Sequence, residues 1–210
     1  MNRHLLLDFD GVILKNRILT QYQLNRSARF VTEKTGLKLN LAKKVNYDFY
    51  PKYGHTVTML NEMFSTPVTL QEYNDYVFDP NILDYLQKYI CRNTYNNGYE
   101  FNKVIDFCEK NNTKWYIYTN AHINWVSVFS KSVNLHIPSD KIIYPLHMYN
   151  LKPNQKSYDS IENKFSQDAH FIFVDDQKNN LPICRKRWSC YHYSSEKTTD
   201  DIIEYINKIF

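Results

Sequence analysis

Glycine is scarce, with four residues in a chain of 210. That is too few, and too scattered, for a G-x-G-x-x-G dinucleotide loop or a P-loop, which need several at fixed spacing. Cys91, Cys108, Cys184 and Cys190 never form a C-x-x-C pair. Neither a zinc site nor a disulfide framework is expected, and the thiols read as free groups in a reducing compartment. No apolar run reaches membrane-spanning length, and the apolar N-terminus is broken at Asp8. No membrane partner and no signal peptide are therefore expected, and the localisation reads as cytoplasmic. Strong charge is lacking too: the net charge is +4 and the pI about 8.7. The basic residues are dispersed, apart from Arg185-Lys186-Arg187, which reads as a helix C-terminus complementing its own dipole. A nucleic-acid partner is not expected on such a balance.

What the chain does have is apolar and aromatic mass, 43% and 16% of its residues. That suffices for one substantial core, with or without a smaller insertion. The most informative stretch is Asp8-Phe9-Asp10-Gly11-Val12, directly after Leu5-Leu6-Leu7. A short apolar run ending in carboxylates reads as a buried parallel strand whose C-terminal end meets solvent, where open α/β sheets bind ligands. Two carboxylates crowded at one strand end repel unless a cation lies between them or one keeps a proton. The layout suits a carboxylate nucleophile, a nearby acid/base and a hard metal ion.

Three later segments repeat the pattern. Lys114-Trp115-Tyr116-Ile117-Tyr118 ends in Thr119-Asn120-Ala121 before a helix-like segment, a junction where a hydroxyl and unpaired N–H groups can cradle phosphate. Lys152-Pro153 opens a helix near Gln155, with a lysine able to hold its ammonium over an anion. Phe171-Ile172-Phe173-Val174 ends in Asp175-Asp176, oxygen ligands suited to Mg²⁺. Each segment alone has an ordinary explanation as a cap or a loop. Their order along the chain is what distinguishes them.

Between the first and second of these segments the pattern is helical throughout. Tyr22, Phe30 and Val31 share a helical face before a stop at Gly36, and a second segment runs from Leu41 to a stop at Pro51. A third spans His55 to Phe64, Thr69-Leu70-Gln71-Glu72 is a capping box, and Asn81 caps Ile82 to Ile90. Arg92 to Gly98 reads as the hinge back. Afterwards helices and strands alternate, as a parallel sheet requires. The expected fold is α/β: a doubly wound parallel sheet, residues 1–14 and 98–210, with an inserted α-helical cap, residues 15–97.

With Asp8/Asp10, Thr119, Lys152 and Asp175/Asp176 in this order, the chain resembles the haloacid dehalogenase-like (HAD) phosphohydrolases. Tyr50-Pro51-Lys52-Tyr53-Gly54, Tyr73 to Val77, Thr119-Asn120-Ala121 and Val174-Asp175-Asp176 with Asn180 resemble that superfamily's pyrimidine 5′-nucleotidase branch, although the first motif departs from the branch at Gly11-Val12. The resemblance implies a Rossmann-like core and a Mg²⁺-dependent phosphatase. Asp8 would be the nucleophile and Asp10 the acid/base. Thr119 and Asn120 would hold the phosphoryl group, and Lys152 would balance charge. Asp8, Asp10 (through its carbonyl), Asp175 and Asp176 would hold the metal. Tyr50, Tyr53 and His55 are candidates for substrate contact in the cap, and the substrate would be a small phosphorylated metabolite, a pyrimidine nucleoside 5′-monophosphate by preference. A phosphomutase, a phosphatase of nucleic-acid ends and a non-catalytic binding protein on the same fold are the competing readings.

Overall fold

The computed structural model describes residues 2–93, 100–183 and 185–209, without the side chains of residues 90–93. The expected hinge therefore falls, past Asn93, outside the described residues, as do Cys184 and the side chain of Cys91. Five parallel strands form the sheet: β1 (Asn2–Leu7), β2 (Lys114–Tyr118), β3 (Ile142–Ile143), β4 (Ala169–Asp175) and β5 (Trp188–His192), in the spatial order β3-β2-β1-β4-β5. Side-chain alternation divides the core between the two faces. Leu5, Leu7, Ile117, Ile172 and Val174 join one apolar cluster, while Leu6, Tyr118, Phe171 and Phe173 join another. The first cluster is closed by α6 (Phe101–Lys110), α7 (Ile123–Ser132) and α9 (Thr199–Ile209), the second by α8 (Gln155–Lys164). This is the doubly wound arrangement expected.

Between β1 and α6 lie α1 (Arg17–Thr35), α2 (Leu39–Tyr53), α3 (Thr56–Met63), α4 (Leu70–Val77) and α5 (Pro80–Asn93). Their ends follow local rules. The Asn16 side chain accepts from the N–H groups of Ile18 and Leu19 to open α1, and Thr69 and Glu72 form the reciprocal capping box of α4. Phe30, Val31, Val57, Leu60 and Val77 bury their faces in the same cluster that covers the sheet.

Several boundaries differ from the sequence reading. Pro51 lies inside the last turn of α2, where it forfeits only one intrahelical bond. The stop is Gly54, left-handed at φ 69°, whose N–H returns to the Tyr50 carbonyl. Helix α5 starts at Pro80, so Asn81 lies inside it, and Asp79 rather than Asn81 supplies the oxygen at its start, Oδ1 accepting the Asn81 N–H at 2.8 Å. Pro153 precedes α8 instead of opening it, because Asn154 is the cap. The Arg185 cluster ends no helix. Arg185 pairs with Asp159 and Glu162 of α8, and Arg187 donates to the carbonyls of Ser166 and Ala169. Among the described residues, no helix is long and apolar enough to cross a membrane.

Candidate active site at the strand ends

The strand order decides what meets. β1 lies between β2 and β4, so residues just beyond all three strands become neighbours. The chain leaves β1, builds outward through β2 and β3, then returns on the other side of β1 as β4. That reversal is the switch point at which ligands bind in such sheets. Asp8 continues the ladder one step past β1, its N–H donating to the Val174 carbonyl at 2.9 Å.

Lys152 is the hub. Its side chain is 1% exposed, and Nζ reaches the Tyr118 carbonyl at 3.0 Å, Asp175 Oδ2 at 2.7 Å and Asp8 Oδ1 at 3.0 Å. An ammonium has three protons to donate; two go to Tyr118 and Asp175, and Asp8 is held as an ion pair. Burial alone would lower its pKa, but the carboxylates of Asp175 and Asp8 outweigh that and raise it. Asn120 fixes this lysine from behind: its side chain accepts the Lys152 N–H at 2.8 Å and donates to the Lys152 carbonyl at 2.9 Å. Asn120 thus tethers the Lys152 loop through its side chain, a role that the T-N-A motif did not reveal.

The acids divide into saturated and unsaturated ones. Asp175, fully buried, accepts from Gln177 N–H, Lys152 and both approaches of the Asn180 amide. Asp176, by contrast, has a buried Oδ1 with no partner. Asp8 Oδ1 accepts from Phe9 N–H at 2.8 Å and is ion-paired with Lys152 at 3.0 Å, so its second oxygen is the free one. Carboxylate oxygens of Asp8, Asp175 and Asp176 all lie within 4.8 Å of one another. An orphaned buried carboxylate oxygen beside two further acids is a donor set that fits a hard divalent cation, which prefers oxygen ligands. Gly11 permits the crowding: at φ +82° it passes so close that a Cβ there would meet Asp176 Oδ2 at 2.3 Å.

Asp10 stands apart from that cluster. Trp125 Nε1 donates to its Oδ1 at 2.9 Å and Gln23 Nε2 to its Oδ2 at 3.4 Å. Burial raises its pKa to about 6 against those two donors. Burial likewise raises Asp176 to about 6, with the Asp175 charge adding to it, and raises Asp8 despite the opposing pull of Lys152. Thr119 Oγ1 accepts from Ala121 N–H at 3.1 Å, which leaves its own proton free to donate. Trp125 and Gln23 were missed as site residues. Trp125 reads as core in sequence, and it is fully buried; the available signal was its place in the first turn of the helix that follows Thr119.

A cavity of about 630 Å³ opens over these residues and is roofed by the inserted helices. Tyr50 and His55 line it. Tyr53 does not: it packs against Phe49, with Lys52 over its ring. The roof is sewn to the strand ends. Asn179 donates to the Pro51 carbonyl at 2.9 Å, and Gly54 passes Pro153 so closely that a Cβ would lie 2.3 Å from its Cδ.

No family model matches the chain, and no curated protein matches it in sequence. Among solved structures, a HAD family enzyme from Bacteroides thetaiotaomicron, in complex with magnesium and inorganic phosphate, aligns with a TM-score of 0.50 at 13% identity, over 96% of this chain and 99% of that one. A phosphoserine phosphohydrolase-like protein from Francisella tularensis aligns with a TM-score of 0.46 at 12% identity, over 86% of this chain and 80% of that one. At 13% identity the first likeness speaks for fold alone: the chain has a parallel, Rossmann-like α/β fold like that HAD family enzyme's.

Proposed function

We propose that the protein is a Mg²⁺-dependent phosphomonoesterase of the HAD type, acting on a small phosphorylated metabolite. One observation carries this reading: Lys152 clamps Asp8 and Asp175 at adjoining strand ends while Asp176 offers an unpartnered oxygen beside them. Asp176 and Asp8 would hold the ion, with the Asp10 carbonyl, and Asp175 would stand behind as the partner of Lys152. When bound, the ion offsets the repulsion between the carboxylates and an incoming phosphate dianion.

The free oxygen of Asp8 attacks phosphorus. The P–O bond to the leaving group breaks, and an aspartyl phosphate forms. Asp10, its pKa lifted to about 6 by burial and so poised to hold a proton more readily than an ordinary carboxylate, gives that proton to the leaving alkoxide and then takes one from the water that cleaves the aspartyl phosphate. The Thr119 hydroxyl and the Asn120 N–H hold the phosphoryl oxygens. Residues 15–97 act as the cap, 1–14 and 98–210 as the core, and a reducing cytoplasm suits the free thiols Cys108 and Cys190. The finer reading is a pyrimidine nucleoside 5′-monophosphate as substrate, its base against Tyr50. It is supported by the Tyr50 to Gly54 and Thr119-Asn120-Ala121 motifs and by the place of Tyr50 in the cavity wall.

The test is a panel of phosphate esters with Mg²⁺, reading released phosphate, with and without chelator. Chelator-sensitive release, fastest with UMP and CMP, is the expected result. Release that survives thorough chelation would remove the metal mechanism, and a clear win for a sugar phosphate would remove the nucleotidase reading alone.

A further inference from the structure

We propose that the cavity selects phosphate esters whose leaving group carries no negative charge and presents a hydrogen-bond acceptor to His55, and that it rejects leaving groups bearing a carboxylate or a second phosphate. The inference rests on the phosphomonoesterase reading and narrows its substrate class.

Charge comes first. Among the described residues lining the cavity, the one positively charged side chain is Lys152, and its ammonium is already engaged, hydrogen-bonded to Tyr118 and Asp175 and ion-paired with Asp8. With a divalent ion in place, the three clustered carboxylates, the lysine and the ion sum to zero, so the phosphate dianion itself exhausts what the floor can hold. Away from the floor the wall offers further acids, Asp10 and Asp48, and no counter-cation. A second anionic group on the substrate would be desolvated beside like charges, an arrangement that discriminates strongly against the wrong ligand.

The neutral groups give the other half. His55 caps α3: its Nδ1 accepts the Val57 N–H at 3.1 Å, which places the ring proton on Nε2. Nε2 has no protein partner among the described residues, the ring edge packs on Tyr73, and the side chain lines the cavity. Burial keeps this imidazole neutral, its pKa pushed down to about 4. Behind it the hydroxyls are already engaged, Ser27 with the Tyr73 hydroxyl at 2.6 Å and Thr56 donating to the Asn46 amide oxygen at 2.8 Å. The roof therefore presents a fixed, uncharged donor to the ligand. Its complement is a carbonyl on a neutral ring, and a leaving group with no acceptor leaves a buried N–H unpaired.

Benzylphosphonates test this, since they lack the ester oxygen and cannot be hydrolysed. Calorimetric titration of the wild-type chain with Mg²⁺ should show 4-acetylbenzylphosphonate binding at least about ten-fold tighter than 4-carboxybenzylphosphonate, which is nearly isosteric but anionic. It should also bind tighter than unsubstituted benzylphosphonate, and that margin should vanish in His55→Asn, which keeps the helix cap but withdraws the donor from the cavity. Equal or tighter binding of the carboxylate overturns the proposal. So does binding of none of the three, or a margin that persists in His55→Asn. Phosphate release from 4-acetylphenyl phosphate is read separately. Selective binding with no release sinks the phosphatase reading and leaves the charge selection standing.

Discussion

The floor and the roof of the cavity are both buried and both polar, yet they are built from opposite materials. The floor is ionic: an ammonium shared between two acids and a carbonyl, a saturated Asp175, and two acids, Asp8 and Asp176, each with an oxygen to spare. The buried part of the roof is neutral: hydroxyls, an amide and an imidazole that burial keeps uncharged, with Asp48 only at its exposed rim. Ionic contacts at close range are strong and hold a shared phosphate in one geometry. Neutral donors and rings contribute about 1 kcal/mol apiece and distinguish one leaving group from another by shape and by hydrogen-bond pattern. The division separates chemistry from selection, and it implies that damage to the floor stops turnover while damage to the roof changes which ester is preferred.

The largest expected effect breaks the floor at its reactive atom. Asp8→Asn removes the proposed attacking oxygen but keeps the shape and leaves Lys152 its bonds to Asp175 and Tyr118. Phosphate release should fall by about a thousand-fold or more, with the urea midpoint little changed. A variant retaining a tenth of the wild-type rate would mean that Asp8 is not the nucleophile. Lys152→Met strikes the same floor through its cation. It leaves two buried carboxylates facing each other, so stability should drop by about 3–5 kcal/mol and turnover by at least about a hundred-fold. Urea unfolding read beside phosphate release checks both. A stable, inactive Lys152→Met chain would show that the ion pair serves catalysis without holding the fold.

Much of the floor was legible in sequence because strand ends are local events. An apolar run, then an acid or a hydroxyl, names both the strand and the residue that leaves it, as with Leu5 to Asp8, Trp115 to Thr119 and Phe171 to Asp175. Parallel pairing then brings distant strand ends together without further information. The partners that orient those residues were not legible. Trp125 touches Asp10 only because of the phase of α7, and Gln23 only because α1 folds back over the turn after β1. Tyr53 shows the same limit from the other side. A Y-x-x-Y-G spacing cannot say which ring faces the cavity, and the helix turns Tyr50 toward it and Tyr53 toward Phe49. The split between Asp175 and Asp176 also needed coordinates, since only a hydrogen-bond inventory shows one saturated and the other not.

Floor and roof should also respond oppositely to acid in the metal-free chain. Burial lowers the pKa of His55 to about 4 in the folded state, so the unfolded chain binds the proton first. Its contribution to stability is complete above about 6.5, the ordinary histidine value, and is lost as pH falls toward 4, to the extent of about 3 kcal/mol. Asp10 and Asp176, raised to about 6 by burial, have the reverse sign: the folded chain holds their protons longer, so their contribution is greatest below about 3.8 and is lost as pH rises through 6. Urea unfolding at a series of pH values should therefore show His55→Asn losing less stability between pH 6.5 and 4 than the wild type. Parallel curves for the two chains would mean that protonation of His55 does not set the acid sensitivity of the fold.

The smallest expected effect lies where roof and floor meet. Tyr50 reaches from α2 into the cavity, close enough to Asp8 for that charge, after burial itself, to help raise its pKa. The phenol is thus protonated at every working pH, and it can offer a neutral hydrogen bond or a ring face but no charge. Tyr50→Phe keeps the ring and deletes the neutral hydrogen bond the hydroxyl can offer the substrate, a change of about 1 kcal/mol. That corresponds to about a five-fold rise in KM for a ring-bearing ester, with kcat nearly constant, because a contact made equally in the ground and transition states alters binding alone. Steady-state kinetics on UMP and on phenyl phosphate give both parameters for both chains. A hundred-fold loss in kcat at unchanged KM would move Tyr50 from the roof into the chemistry, and the boundary between selection and reaction would have to be redrawn one residue deeper into the cap.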